Sequence, residues 1–194
     1  MAPDLLNKVM AVRSSSGEWR WARLVEVEAY ASFEAASHTH RGPTPRNEVM
    51  YGPAGRLYVY FSYGMHWCAN VVTGPVGSGQ AVLLRAAEPL GGLPAMRLAR
   101  GSKVVDRDLC RGPARLAQAL GLTGADSGAA AVGGGRIVFL DDGVAAPGAP
   151  GVGPRVGITK AVELPWRWWV DGSPWVSGFR TGPRARVDRE HTNY

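Results

Sequence analysis

Residues 21–30, WARLVEVEAY, place two glutamates two positions apart, and a positioned carboxylate is a competent general base. In an extended chain side chains alternate, so Leu24, Glu26, Glu28 and Tyr30 share one face while Val25, Val27 and Ala29 share the other. Such a strand either solvates a polar face or turns one carboxylate into a cleft. Arg85 sits in a second apolar strand, AVLLRAAEPL (81–90), on the face of Ala81, Leu83 and Ala87. An unpaired buried charge is expensive. Arg85 therefore either reaches solvent at a sheet edge or meets an anion, with Glu28 and a phosphate as the candidates.

A third feature is YGPAGRLYVYFSYGMHWCAN (51–70). Tyr58, Tyr60 and Phe61 precede the break Tyr63-Gly64-Met65, and a second apolar run starts at His66. Gly favours the positive φ of a tight reversal, so the stretch is predicted to be a β-hairpin with Tyr63 near its tip. The aromatics either fill a sheet core, as strands favour, or Tyr63 serves as a wedge between stacked bases. The polar loop 31–47 carries His38, His40, Arg41 and Arg46. Two histidines without a third ligand at a familiar spacing make a poor metal site. A mobile basic loop touching phosphates suits these side chains better.

The elements that position these residues follow from pattern. Residues 5–12 form a short helix or strand, and 14–17 a turn. Residues 92–100 are helical, and Gly112-Pro113 opens a helix that runs to about Leu120, with Gly121 at its end. RIVFL (136–140) and RVGIT (155–159) are predicted strands, and WRWWV (166–170) is an aromatic run. The Gly-, Ala- and Pro-rich segments 124–135 and 141–154 are expected to be surface loops without part in chemistry. The basic tail from about residue 178 is expected to be mobile.

At 194 residues the chain suits one domain with a core that needs no disulfide or metal staple. The net charge of +6 and a pI of about 9.7 favour a polyanionic partner, nucleic acid first. Cys68 and Cys110 are too few for a zinc set or a disulfide framework. No secretory pattern opens the sequence and no apolar run reaches membrane-spanning length.

EVEAY (26–30), ASHTHRG with TPRN (36–47), GPAGRLYVYFSYGMHWCANVV (52–72), AVLLRAAEPL (81–90), CRGPARLAQAL (110–120) and PRVGITKA with WRWWV (154–170) together resemble the alkyladenine (3-methyladenine) DNA glycosylase family, in the family's order and over most of the chain. The resemblance implies an α+β fold: a single mixed domain with a curved antiparallel sheet flanked by helices, of the formyltransferase C-terminal-domain-like type. It implies excision of alkylated or deaminated purines from double-stranded DNA, without metal or cofactor. A monomer is expected because no isologous apolar patch is evident in the sequence, and the expected location is the bacterial cytoplasm, associated with the nucleoid. By the same resemblance Glu28 matches the general base and Arg85 the residue that orients the water and holds the carboxylate ionised. Tyr30, His38 and Tyr60 match the residues that stack on the flipped base. Asn70 matches the residue that rejects the 2-amino group of guanine, and Tyr63 the intercalating residue. No lysine matches a Schiff-base position, which implies a monofunctional enzyme without lyase activity. The competing readings are a non-catalytic basic nucleic-acid binding module and a damage sensor on the same fold. Pure binding needs neither Glu28 nor Arg85.

Overall fold

The computed structural model describes residues 2–178. The basic tail expected from about residue 178 therefore lies almost wholly outside the described residues. One eight-stranded antiparallel sheet, strongly curled, dominates the fold, and two α-helices pack on it. The strands are β1 (Val9–Arg13), β2 (Trp19–Tyr30), β3 (Leu57–Ser62), β4 (His66–Thr73), β5 (Gln80–Gly91), β6 (Ile137–Leu140), β7 (Gly151–Gly153) and β8 (Arg167–Trp169). The helices are α1 (Leu93–Arg100) and α2 (Pro113–Leu120). The sheet order is β3-β4-β5-β2-β1-β6. On its second edge β2 pairs with β1 through Trp19–Arg23 and with β8 through Glu26–Glu28, and β8 in turn pairs with β7.

The core lies between the sheet and α2. Leu24, Val27, Leu57, Leu84, Leu116 and Leu120 are among its fully buried members. Pro at the first helical position of α2 costs no hydrogen bond, and Gly121 closes the helix in the left-handed region at φ 72°.

Three expectations are revised. RVGIT (155–159) is not a strand: Pro154 precedes it and Gly157 has φ 79°, so the β-branched pattern is broken before a ladder forms. The strand instead is Gly151–Gly153, inside the segment taken as a loop. A side chain at Gly151 would overlap the Trp169 indole, which is why the small residue sits there. Segment 124–135 is also anchored rather than loose. Thr123 and Asp126 form a capping box, and Gly128 N–H donates to Leu57 O at 2.7 Å. Residues 5–12, left open between helix and strand, supply β1 after a single 3-10 turn at Pro3–Leu5.

Candidate active site

Two slips of register between β2 and β5 build the floor of the site. Leu24 faces Ala87, Glu26 faces Ala86 and Val27 faces Leu84, so Val25 is the extra residue on β2 and Arg85 the extra residue on β5. Bulges re-aim side chains. The first breaks the simple alternation expected for β2 and sends Leu24 into the core with Val27. The second places Arg85 between the two carboxylates. Its Nε donates to Glu26 Oε1 at 3.1 Å, and its Nη1 lies 3.3 Å from Glu28 Oε1. Both glutamates have no solvent exposure, and Arg85 retains 6%. The solvated polar face and the edge-strand arginine are thereby excluded.

Glu28 Oε1 accepts from Val156 N–H at 2.7 Å, and Oε2 accepts from the Tyr30 hydroxyl at 2.9 Å. Arg85 Nη1 also reaches Val156 O at 3.4 Å. Burial pushes the Glu28 pKa above the ordinary carboxylate value, outweighing the opposing pull of Arg85, Val156 and Tyr30. This corrects the expectation that the adjacent arginine holds the Glu28 pKa down: its pull has that sign, but burial outweighs it. Arg85 narrows the cost of burying Glu28 without cancelling it.

Above this floor opens a cleft of about 580 Å³, within the usual range for small-ligand sites. It is lined by Tyr30, His38, Tyr60, Asn70, Arg85 and, at its rim, Tyr63. Six of the seven residues singled out from sequence thus line one cavity. The seventh, Glu28, lies directly behind Tyr30, Arg85 and Val156. His38 and Tyr60 meet edge-to-face, with centroids 4.5 Å apart and planes at 79°. They form a corner, so a flat ring stacked on one meets the other edge-on. Tyr58, 1% exposed, backs this corner: it stacks on Tyr60 at 5.6 Å, and its hydroxyl lies 3.0 Å from His38 Nδ1. Partial burial, then the charge of Arg46, lowers the His38 pKa, which favours a neutral imidazole. Asn70 donates from Nδ2 to Tyr58 O at 3.0 Å, which fixes its amide against the cleft.

The hairpin forms as expected, with Ser62 paired to His66 across the turn. Met65 N–H donates to Ser62 O at 3.0 Å. Tyr63 and Gly64 both have positive φ, 49° and 66°, as hairpin turns of the primed type require. For Gly this is free. For a bulky tyrosine it is strained, and the side chain is 82% exposed.

The loop 31–47 is tied down, contrary to the mobile loop expected. Asn47 donates to His38 O and Gly42 O at 2.8 and 3.1 Å, and Thr39 Oγ1 donates to Gly79 O at 2.8 Å. Arg155 pairs with Glu34 through both terminal nitrogens, at 2.7 and 2.9 Å. Arg46 donates to Phe61 O at 3.1 Å, joining this loop to the hairpin. Among the described residues, no group of three or more His, Cys, Asp or Glu is placed to hold a metal ion. No helix among them is long and apolar enough to cross a membrane.

Sequence reasoning missed Glu26, Arg155, Val156 and Arg167. Glu26 accepts from Arg85 Nε, Arg167 Nε at 2.6 Å, Ser177 N–H at 2.7 Å and Ser177 Oγ at 2.9 Å. Its proximity to Glu28 was visible, but its partners lie 59 to 151 positions away in the chain. The strand reading of 155–159 hid Arg155 and Val156.

The site is thus a strand-borne Glu–Arg pair beneath an aromatic cleft, with a tyrosine on a hairpin tip. The sequence pattern of the methylpurine-DNA glycosylase (MPG) family matches residues 1–174, and the chain belongs to that family. It is 54% identical over 180 residues to a Burkholderia lata protein named "Putative 3-methyladenine DNA glycosylase", covering 92% of this chain and 85% of the relative. Proteins of the same name from Frankia casuarinae and Rhodopseudomonas palustris are 49% identical over 175 residues and 47% over 186. Those matches cover 84% and 91% of this chain, and 82% of each relative.

Proposed function

We propose that the chain flips alkylated or deaminated purines, with 3-methyladenine among them, out of duplex DNA and hydrolyses the N-glycosidic bond, leaving an intact abasic site. The observation that carries this reading is the Glu28 carboxylate, buried and held by Arg85, Val156 and Tyr30 immediately behind an aromatic-lined cleft large enough to admit a purine.

The reacting C1′ atom is out of reach inside a stacked duplex, so the nucleotide must leave it. Tyr63 fills the gap, at a cost in unstacking of roughly a few kcal/mol per step. Tyr30, His38 and Tyr60 receive the base, each stack contributing about 1–3 kcal/mol. Glu28 Oε2 accepts from the Tyr30 hydroxyl, and the carboxylate oxygen has a further lone pair for the proton of an attacking water. The ionised carboxylate also stabilises the positive charge that develops on the sugar as the bond breaks. Arg85, tethered to Glu26, orients Glu28 for both tasks. Asn70, its amide fixed by Tyr58 O, collides with the 2-amino group of guanine and so disfavours an abundant wrong substrate.

The reaction uses water rather than an amine. Lys160 lines the cleft, so trapping with borohydride is a direct test: no covalent protein–DNA adduct is expected, and an adduct lost in Lys160→Ala would assign a lyase step instead. The primary experiment is single-turnover excision from duplexes carrying one hypoxanthine, ethenoadenine, 3-methyladenine or 7-methylguanine, with alkaline cleavage at abasic sites. Wild type should cleave and Glu28→Gln should not. Tight, salt-sensitive binding without cleavage by wild type would instead mark a damage sensor or binding module.

A further inference from the structure

The Tyr30 ring has two faces, and one of them is taken. The Arg155 guanidinium carbon lies 4.5 Å from the Tyr30 ring centroid, over the ring, and 5.5 Å from that of Trp166. The Arg155 side chain has no solvent exposure and does not line the cleft, whereas Tyr30 does. The cation is thus held between two aromatic rings, on the face of Tyr30 turned away from the base site. Its position is fixed by Glu34, by Ala29 O at 2.9 Å and by Ala161 O at 3.3 Å. Arg155 Nε has no hydrogen-bond partner among the described residues, and the two aromatic faces add cation–π contact to the hydrogen bonds of the terminal nitrogens.

A cation on one face of a π system draws electron density toward itself and leaves the opposite face less attractive to a second cation. N-alkylated purines such as 3-methyladenine carry a positive charge in DNA; hypoxanthine and ethenoadenine are neutral. Glu28 pushes the other way through the Tyr30 hydroxyl, but Arg85 stands against that carboxylate. Glu34 balances the charge of Arg155 as a pair, yet it is the guanidinium that covers the ring.

We infer that Arg155 is a specificity-determining residue that lowers the preference of the Tyr30 stacking face for cationic over neutral damaged bases. This rests on the glycosylase reading and deepens it by saying how the cleft ranks two classes of lesion. Arg155 acts through Tyr30 and touches no substrate.

The test compares kcat/KM for 3-methyladenine and for hypoxanthine, neither of which carries a 2-amino group, each in the same duplex context, in wild type and in E34Q/R155M, which removes both charges together. The ratio of cationic to neutral excision should rise about fivefold, the size of one modest cation–π interaction. R155K keeps the cation and should keep the wild-type ratio even where its absolute rates fall. If E34Q/R155M does not fold, E34L/R155M fills the same space with apolar groups, a replacement that buried ion pairs often tolerate. Equal loss of both activities, or a ratio shifted toward hypoxanthine, would reduce Arg155 to a structural clamp. Failure of wild type to excise either base would overturn the glycosylase reading itself, and this inference with it.

Discussion

Glu26 and Glu28 stand two residues apart on β2, are equally buried and share Arg85, yet their surroundings differ in kind. Glu26 is saturated, with donors from Arg85, Arg167 and both the backbone and hydroxyl of Ser177. Glu28 has one backbone donor, one long contact to Arg85 and a hydroxyl on its second oxygen. A carboxylate that meets cations and donors at every approach is a fastener. A carboxylate that burial leaves short of compensation, with a raised pKa, is poised to take up a proton. The same division recurs among the tyrosines of the hairpin. Tyr58 is buried and backs the pocket; Tyr63 is exposed on a strained turn.

The comparison breaks most sharply at the two glutamates. Glu28→Gln should lower single-turnover excision by about 10³-fold or more, the upper part of the range for a lost general base, while the thermal midpoint stays near or above that of wild type, because a costly buried charge is gone. Glu26→Gln should do the reverse. It leaves Arg85 and Arg167 facing a neutral amide, and breaking such a buried pair costs about 3–5 kcal/mol of stability, measurable as a lowered midpoint in urea. Excision by folded Glu26→Gln protein should fall less than in Glu28→Gln. If the two variants exchange these behaviours, the roles assigned to the carboxylates are exchanged as well.

The hairpin offers a smaller effect of mixed sign. Tyr63→Gly relieves the positive φ and should stabilise the free protein by about 1 kcal/mol. The same change removes the proposed wedge, so the rise in 2-aminopurine fluorescence that reports flipping beside a lesion should be lost. Unchanged flipping would make Tyr63 an ordinary turn residue.

How far these roles were legible in the sequence depended on how local their causes are. The β2 carboxylates, the Arg85 strand, the hairpin and both helices rest on short-range pattern, and each element formed where alternation or Gly and Pro placed it. The resemblance to known glycosylases supplied the joint reading of Glu28, Tyr30, His38, Tyr60 and Tyr63. What pattern could not supply was the register. The two bulges decide that Arg85 points between the glutamates and that Leu24 leaves their face, and a bulge has no signature in WARLVEVEAY or AVLLRAAEPL. The loop 155–159 misled for a related reason. Its valine, isoleucine and threonine are good strand formers, but Pro154 and the positive φ of Gly157 override them, and the resulting loop carries both Arg155 and the Val156 contacts to Glu28 and Arg85.

The finest distinction concerns the single hydroxyl on Glu28 Oε2. Tyr30→Phe keeps the ring against Arg155 and in the cleft, and removes only that donor. The hydroxyl is one of the groups holding the Glu28 pKa down against burial. Without it the carboxyl should keep its proton to higher pH. A general base works only when ionised, so kcat/KM should rise with pH through an acid limb that already lies above the ordinary carboxylate range and moves further up in Tyr30→Phe. At a pH well above both limbs the two proteins should excise at similar rates, because the ring that stacks is the same. An acid limb that stays in place would mean that the hydroxyl does not act on the titrating group, and a limb that moves down would place the essential proton on a group other than Glu28.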